Sequence, residues 1–97
     1  MAKEFSYRVK NITRVISRGG RAFRDNRTAR NTFINFGTNP ATVLDNIPLA
    51  PGATLIFEGN LGEVDRTIYN IAFPPPASGT SLVIQVQTVY LQEGEDV

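Results

Sequence analysis

Arginine recurs at every third position in one segment of this 97-residue chain, and five residues share that spacing: Arg18, Arg21, Arg24, Arg27 and Arg30. The guanidinium group forms paired hydrogen bonds with carboxylates and phosphates, so such a series could bind an acidic surface. A spacing of three drifts around an α-helix, whereas an extended conformation with three residues per turn aligns it on one side. We therefore treat these arginines as candidate partner-contact residues. The alternative is a solvated basic loop that keeps the protein soluble.

The acidic partner could be nucleic acid or protein. Residues 1–30 carry nine positive and two negative side chains, a net charge of +7, whereas the remainder carries one positive and seven negative, a net charge of −6. The acidic remainder would repel a phosphate backbone, and only Phe23 lies among the arginines as a stacking platform. A protein partner is therefore favoured over nucleic acid. The acidic half of a second copy is one such partner, which predicts a homo-oligomer.

Groups that could perform catalysis are scarce. The chain has no His and no Cys, which removes the commonest general base and the usual zinc ligands. Lys3 and Lys10 lie in a predicted strand and are interpreted as solvated edge residues. Glu58, Glu63 and Asp65 could form a paired-carboxylate or calcium site, but they lack the register of a calcium-binding loop, which favours a solvated loop. We expect a non-enzymatic protein without metal or cofactor.

The elements that position the arginines are predicted from short apolar runs, which are separated by turn residues. Ala50-Pro51-Gly52-Ala53 fits a type II turn, because Pro supplies a φ near −60° and Gly a positive φ. Asp45-Asn46 fits a two-residue hairpin loop. Strands are predicted near Glu4–Lys10, with an extension over Ile12–Ile16 after a bulge, and near Thr32–Phe36, Ala41–Leu44, Ile47–Leu49, Ala53–Phe57, Thr67–Phe73 and Ser81–Leu91. Seven or eight short strands predict an all-β fold, an antiparallel β-sandwich or a small barrel.

The length and composition predict one domain over residues 1–97, with a basic loop or arm at 17–31 and an acidic tail at 92–97. A weak helix over Ala22–Arg30 is an alternative for part of the arm. No signal peptide and no apolar run of membrane-spanning length is present, so we expect synthesis in the cytoplasm and no membrane contact. The predicted core residues are Val43, Leu49, Leu55, Phe57, Ile71, Phe73, Leu82, Ile84 and Val86.

A series of short motifs lies between residues 33 and 73: Asn35-Phe36-Gly37-Thr38, Pro40-Ala41-Thr42-Val43, Ile47-Pro48-Leu49-Ala50-Pro51-Gly52, Leu55-Ile56-Phe57 and Gly59-Asn60 followed by Glu63-Val64-Asp65. This series resembles small β-sandwich proteins from the virions of tailed bacteriophages. In such proteins the pattern belongs to capsid decoration, auxiliary or fibre-base components. The resemblance implies a structural protein of the virion, made in the host cytoplasm, that binds capsid or other virion proteins in many symmetric copies. The arginine segment lies outside the pattern.

A carbohydrate-binding or adhesin-like module is the alternative function, because small β-sandwiches often carry such sites. Sugar sites favour exposed aromatic side chains as stacking platforms. The chain has no Trp, and Phe5, Tyr7, Tyr69 and Phe73 occupy alternating positions that are typical of core residues. The virion role is therefore favoured.

Overall fold

The computed structural model describes residues 7–23, 25, 27–59, 63–75 and 79–92. The strands in these ranges are β1 (Tyr7–Ile16), β2 (Gly20–Arg21), β3 (Thr28–Asn35), β4 (Ala41–Val43), β5 (Ile47–Leu49), β6 (Thr54–Glu58), β7 (Asn70–Ala72) and β8 (Val83–Gln92). All regular structure in the described residues is β-strand, which confirms the predicted all-β fold. None of it is a helix that could cross a membrane. Residues 4–6 of the first predicted strand and the acidic tail beyond residue 92 lie outside these ranges.

Two antiparallel sheets of four strands form the sandwich. The first sheet has the order β1-β8-β3-β6 and the second has the order β2-β7-β4-β5. Three residues connect β1 to β2 and four connect β5 to β6, too few to cross a sheet. The first connection therefore places β1 and β2 at one lateral edge of the sandwich, here called the β1–β2 edge. The second places β5 and β6 at the opposite edge, the β5–β6 edge.

The apolar core lies between the sheets. Its buried members come from both sheets and from the segment before β7: Ile16, Phe33, Ala41, Val43, Leu49, Tyr69, Ile71 and Val83. Phe33, Phe57 and Tyr69 form an aromatic cluster whose ring centroids are 4.9–6.1 Å apart. The prediction of burial is confirmed for Val43, Leu49 and Ile71. Leu55, Phe57 and Phe73 are half-buried and pack against this cluster.

The turn that joins β5 to β6 has the predicted geometry. Gly52 has a φ of 82°, and the amide of Ala53 donates to the carbonyl oxygen of Ala50 at 2.9 Å. This is the type II turn expected from Pro51-Gly52, in which only glycine takes the third position without strain.

The hairpin loop between β4 and β5 differs from its prediction by one residue. The positive φ angles belong to Leu44 (57°) and Asp45 (68°), and Val43 pairs with Ile47 across a three-residue loop. The predicted two-residue loop Asp45-Asn46 is therefore wrong. The amide of Leu44 donates to the carbonyl oxygen of Asn70 at 3.0 Å and its side chain packs on the core, which holds this residue in the left-handed conformation.

The facing of β8 is the reverse of the prediction. Val83, Gln85, Gln87 and Val89 are buried, whereas Leu82, Ile84 and Val86 are only half-buried. The prediction chose the more apolar face as the inner one, but the inner face carries two glutamines because the backbone packed against them supplies hydrogen-bond partners for their amides. In the described residues, no buried side-chain nitrogen or oxygen lacks a partner.

The first strand is continuous and has no bulge. Its pairing with β8 runs without interruption from Tyr7 opposite Gln92 to Ile16 opposite Val83. Val9, predicted on a buried face, is 55% exposed because it shares the outer face of the first sheet with Val15.

Candidate functional site

The four predicted contact arginines that the structure describes do not lie on one side of the molecule. The segment divides into β2, a loop and the start of β3, so the three-residue period is not maintained, and no helix forms over residues 22–30 where they are described. Arg27 pairs with Asp25 at 3.7 Å, and Arg30 lies on β3 with Glu58 at 3.8 Å. Arg24 lies outside the described residues. Arg18 and Arg21 remain at the β1–β2 edge.

Arg18 and Arg21 line a groove together with a residue outside the period, Arg14. Residues 14–21 form this basic groove, which has a volume of about 280 Å³ and no acidic residue in its lining. All three arginines are exposed, and within the described part of the chain none of them forms an ion pair. The guanidinium carbon of Arg14 lies 6.0 Å from the ring centroid of Phe23, within cation–π distance.

Arg14 was missed because the sequence reasoning followed the period of three. Arg14 lies two residues before Ile16, the buried last residue of β1, and therefore on the same face of that strand. The turn to β2 then brings residues 18–21 back beside it. The sequence did contain one indication of Arg14: it is a basic residue near the end of a predicted strand, and a Gly-rich turn follows that strand.

Three like charges around one concavity favour an anionic partner. Each guanidinium presents a planar set of N–H donors that matches a carboxylate or phosphate. No carboxylate among the residues that the structure describes forms an ion pair with any of the three. The groove can therefore bind several carboxylates of a protein surface or several phosphate groups.

Two buried glutamines of β8 fix the segment that follows the groove. Gln85 exchanges two hydrogen bonds with the backbone of Phe23: its Nε2 donates to the carbonyl oxygen at 2.7 Å, and its Oε1 accepts from the amide at 3.1 Å. Gln87 donates to the same carbonyl oxygen and accepts from the amide of Asp25 at 3.1 Å. The segment predicted as an arm is thus bound to the inner face of the first sheet, and residues 28–31 belong to β3.

The polar network continues from Gln85 to the opposite side of the sandwich. Gln85 Nε2 also donates to Asn31 Oδ1 at 3.1 Å, and Asn31 Nδ2 donates to Asp65 Oδ2 at 3.1 Å. Asp65 further accepts hydrogen bonds from the hydroxyl of Tyr69 and from the amide of Thr67. Buried amides therefore link the arginine segment to the carboxylate of Asp65.

The Asp65–Tyr69 pair shifts the pKa of both groups. Burial acts to raise the pKa of Asp65, but the hydrogen bonds from Tyr69, Thr67 and Asn31 together outweigh it and hold that pKa below its ordinary value. Burial, followed by the hydrogen bond to Asp65 and its negative charge, raises the pKa of Tyr69 well above its ordinary value. The carboxylate is thus ionised and the phenol neutral over a wide pH range.

Asp65 borders a cleft at the β5–β6 edge. This acidic cleft has a volume of about 520 Å³ and lies between the end of β6 and the segment 63–69. Its charged lining residues are Glu58, Glu63, Asp65 and Arg66. In the described residues, no group of three or more carboxylates is placed to hold a metal ion.

The β1–β2 and β5–β6 edges of the sandwich therefore differ in charge. Three arginines surround the groove at the β1–β2 edge, whereas three carboxylates and one arginine surround the cleft at the β5–β6 edge.

Comparison of the chain with protein-family models, curated proteins and solved structures finds no match.

Proposed function

We propose that this chain is a non-enzymatic structural protein of a virus particle that docks onto an acidic protein surface through the basic groove. The observation that carries the proposal is the arrangement of Arg14, Arg18 and Arg21, which line one groove without an ion-pair partner in the described residues. A structural protein that binds neighbouring subunits needs such a surface and needs no catalytic group.

The rigidity of the segment next to the groove supports a docking role. Gln85 and Gln87 fix the backbone at Phe23 and Asp25 before any partner binds. Phe23 in turn contacts Arg14. Binding to a surface that is already ordered costs less conformational entropy than ordering a free arm, so a few ion pairs suffice for a measurable affinity.

A protein partner is favoured over nucleic acid by the charge of the whole domain. The chain carries a net charge of only +1, and its residues after position 30 carry −6. A nucleic-acid surface needs a basic field over the length of several phosphates, together with aromatic platforms for single strands. Among the described residues, the aromatic ring beside the groove is that of Phe23, and Arg14 already lies over it.

The virion assignment is supported by the resemblance of residues 33–73 to small β-sandwich proteins of tailed-phage particles. In the described ranges these residues include the last three residues of β3, all of β4, β5, β6 and β7, and the type II turn at Gly52. They belong to the scaffold, whereas the basic groove lies at the edge of the domain and supplies the contact surface.

The test is incorporation into particles. We expect the triple variant Arg14→Ser, Arg18→Ser, Arg21→Ser to keep its thermal midpoint and to be depleted from purified particles at least tenfold relative to the wild type. Arg27→Ser, which removes an arginine paired with Asp25, is the control and should be incorporated normally. Normal incorporation of the folded triple variant would contradict the proposal. Binding of DNA that is lost in the same variant would favour the nucleic-acid alternative.

A further inference from the structure

We infer that the acidic surface is supplied by a second copy of this chain, and that copies associate head to tail by pairing β1 of one copy with β6 of the next. This inference rests on the proposed function and names the partner of the basic groove. It places the groove of one copy beside the acidic cleft of its neighbour. Because the two contact surfaces are different, the association repeats and forms a ring or an open chain of copies.

The direction of the edge strands permits this continuation. All neighbouring strands of the first sheet are antiparallel, so its first strand, β1, and its fourth, β6, run in opposite directions. A second copy in the same orientation, placed beside the first, therefore brings β1 antiparallel to β6. One continuous antiparallel sheet results, as in strand addition to a sheet edge.

Both edge strands have backbone groups available for pairing. In the described residues, β1 pairs only with β8 and β6 pairs only with β3. Neither strand contains proline, which would remove a donor from the new ladder. The second sheet differs, because its edge strand β5 contains Pro48 and is blunted. The first sheet is therefore the one that extends.

The outer face of the first sheet has the same chemistry at both edges. Two rows of paired residues cross all four strands and consist only of Val, Ile and Thr: Val15, Ile84, Ile34 and Thr54 in one row, and Thr13, Val86, Thr32 and Ile56 in the other. A copy added at β6 places Val15 beside Thr54 and Thr13 beside Ile56. Each row then continues as β-branched cross-strand pairs, which stabilise a sheet.

Charge favours this head-to-tail contact over a two-fold contact between two β1 strands. Lys10 and Arg14 lie on one face of β1, and two antiparallel β1 strands would bring these residues close to the same charges of the partner. The β6 edge instead borders the acidic cleft, whose lining includes Glu63 and Asp65. Opposite charges thus select the partner edge and set its orientation.

Disulfide trapping tests the contact, since the chain contains no cysteine of its own. Val15→Cys and Thr54→Cys are made as separate variants at exposed positions, so the substitutions leave the core unchanged. Within one copy the two positions lie three strand spacings apart, about 14 Å. That distance exceeds the roughly 7 Å limit for a disulfide, so any bond joins two copies.

We expect an equimolar mixture of the two variants to form a disulfide-linked heterodimer on mild oxidation, at least tenfold faster than either variant forms a homodimer. Val9→Cys mixed with Thr54→Cys is the matched control. Val9 is exposed on the same face of β1 but lies about 20 Å along the strand, so this mixture should not react. Circular dichroism melting curves establish that the variants are folded.

Faster homodimer formation by Val15→Cys would overturn the inference in favour of a two-fold β1 contact. Equal, slow reaction of all mixtures would overturn it as well. If trapping fails while the groove variant is still depleted from particles, the docking role stands and the acidic partner is another protein. If trapping succeeds and the groove variant is incorporated normally, the strand pairing stands and the role of the arginines in docking fails.

Discussion

Two buried glutamines decide how the arginine segment is held. Gln85 and Gln87 pair with the backbone of Phe23 and Asp25 as a neighbouring strand would. Gln85→Leu leaves the part-buried Phe23 amide without its partner and removes one of the two donors to the Phe23 carbonyl oxygen, so we expect a loss of about 1–3 kcal/mol in the free energy of unfolding. The Phe23 amide should also exchange with solvent faster. Val86→Thr, on the opposite face of β8, is the control, and equal effects of the two substitutions would contradict the assignment.

The Asp65–Tyr69 pair predicts how stability changes with pH. The folded pKa of Asp65 is lowered, so its contribution is present above the ordinary pKa of 3.8 and is lost as the pH falls through the folded value. The folded pKa of Tyr69 is raised, so its contribution is present below the ordinary pKa of 10.0 and is lost as the pH rises above that value. Tyr69→Phe should flatten the alkaline decline in the unfolding free energy. An unchanged alkaline slope would contradict the pairing.

Gly52 is the residue on which the type II turn depends. Its φ of 82° is unfavourable for any residue with a Cβ atom, although a side chain at this position would meet no neighbouring atom. Gly52→Val should therefore lower the free energy of unfolding by about 1–2 kcal/mol through backbone strain alone. Thr54→Val, at a nearby exposed position, should change it little. An unchanged urea midpoint for Gly52→Val would contradict the turn.

At the scale of the strands, β3 and β8 have one buried face and one outer face. Phe33 is fully buried between the sheets, whereas Ile84 is half-buried on the outer face. Phe33→Ala should cost about 3–5 kcal/mol. Ile84→Ala should cost only about 1–2 kcal/mol in the monomer, because it removes less buried surface. Urea denaturation of dilute protein compares the two, and a larger cost at Ile84 would mean that the outer face is covered within the monomer.

The strands also show which features a sequence can predict. β5 and the turn after it were predicted correctly, since Pro51 and Gly52 determine their geometry locally. The facing of β8 was not predictable from its alternation, because Gln85 is buried by bonding to Phe23, 62 positions away in the chain. Only Arg18 and Arg21 of the groove were predicted from the sequence. Arg14 joins them through the turn between β1 and β2, and a fixed spacing of three residues does not describe that turn.

At the scale of the whole molecule, segregation of charge matters more than net charge. A net charge of +1 gives copies little mutual repulsion, while the groove and the cleft give the β1–β2 and β5–β6 edges different potentials. Single exposed ion pairs are worth about 0–1 kcal/mol, so contact at the groove depends on several arginines acting together. Assembly should therefore weaken steeply as salt rises.

Sedimentation velocity of the wild type and of the variant Arg14→Ser, Arg18→Ser, Arg21→Ser measures whether the groove arginines join protein molecules. Raising the salt from about 0.01 M to about 1 M shortens the Debye length from roughly 30 Å to 3 Å. We predict that the wild type forms assemblies at low salt and dissociates at high salt, whereas the folded variant is monomeric throughout. Assemblies of the variant that match those of the wild type in size and salt dependence would contradict this role of the basic groove.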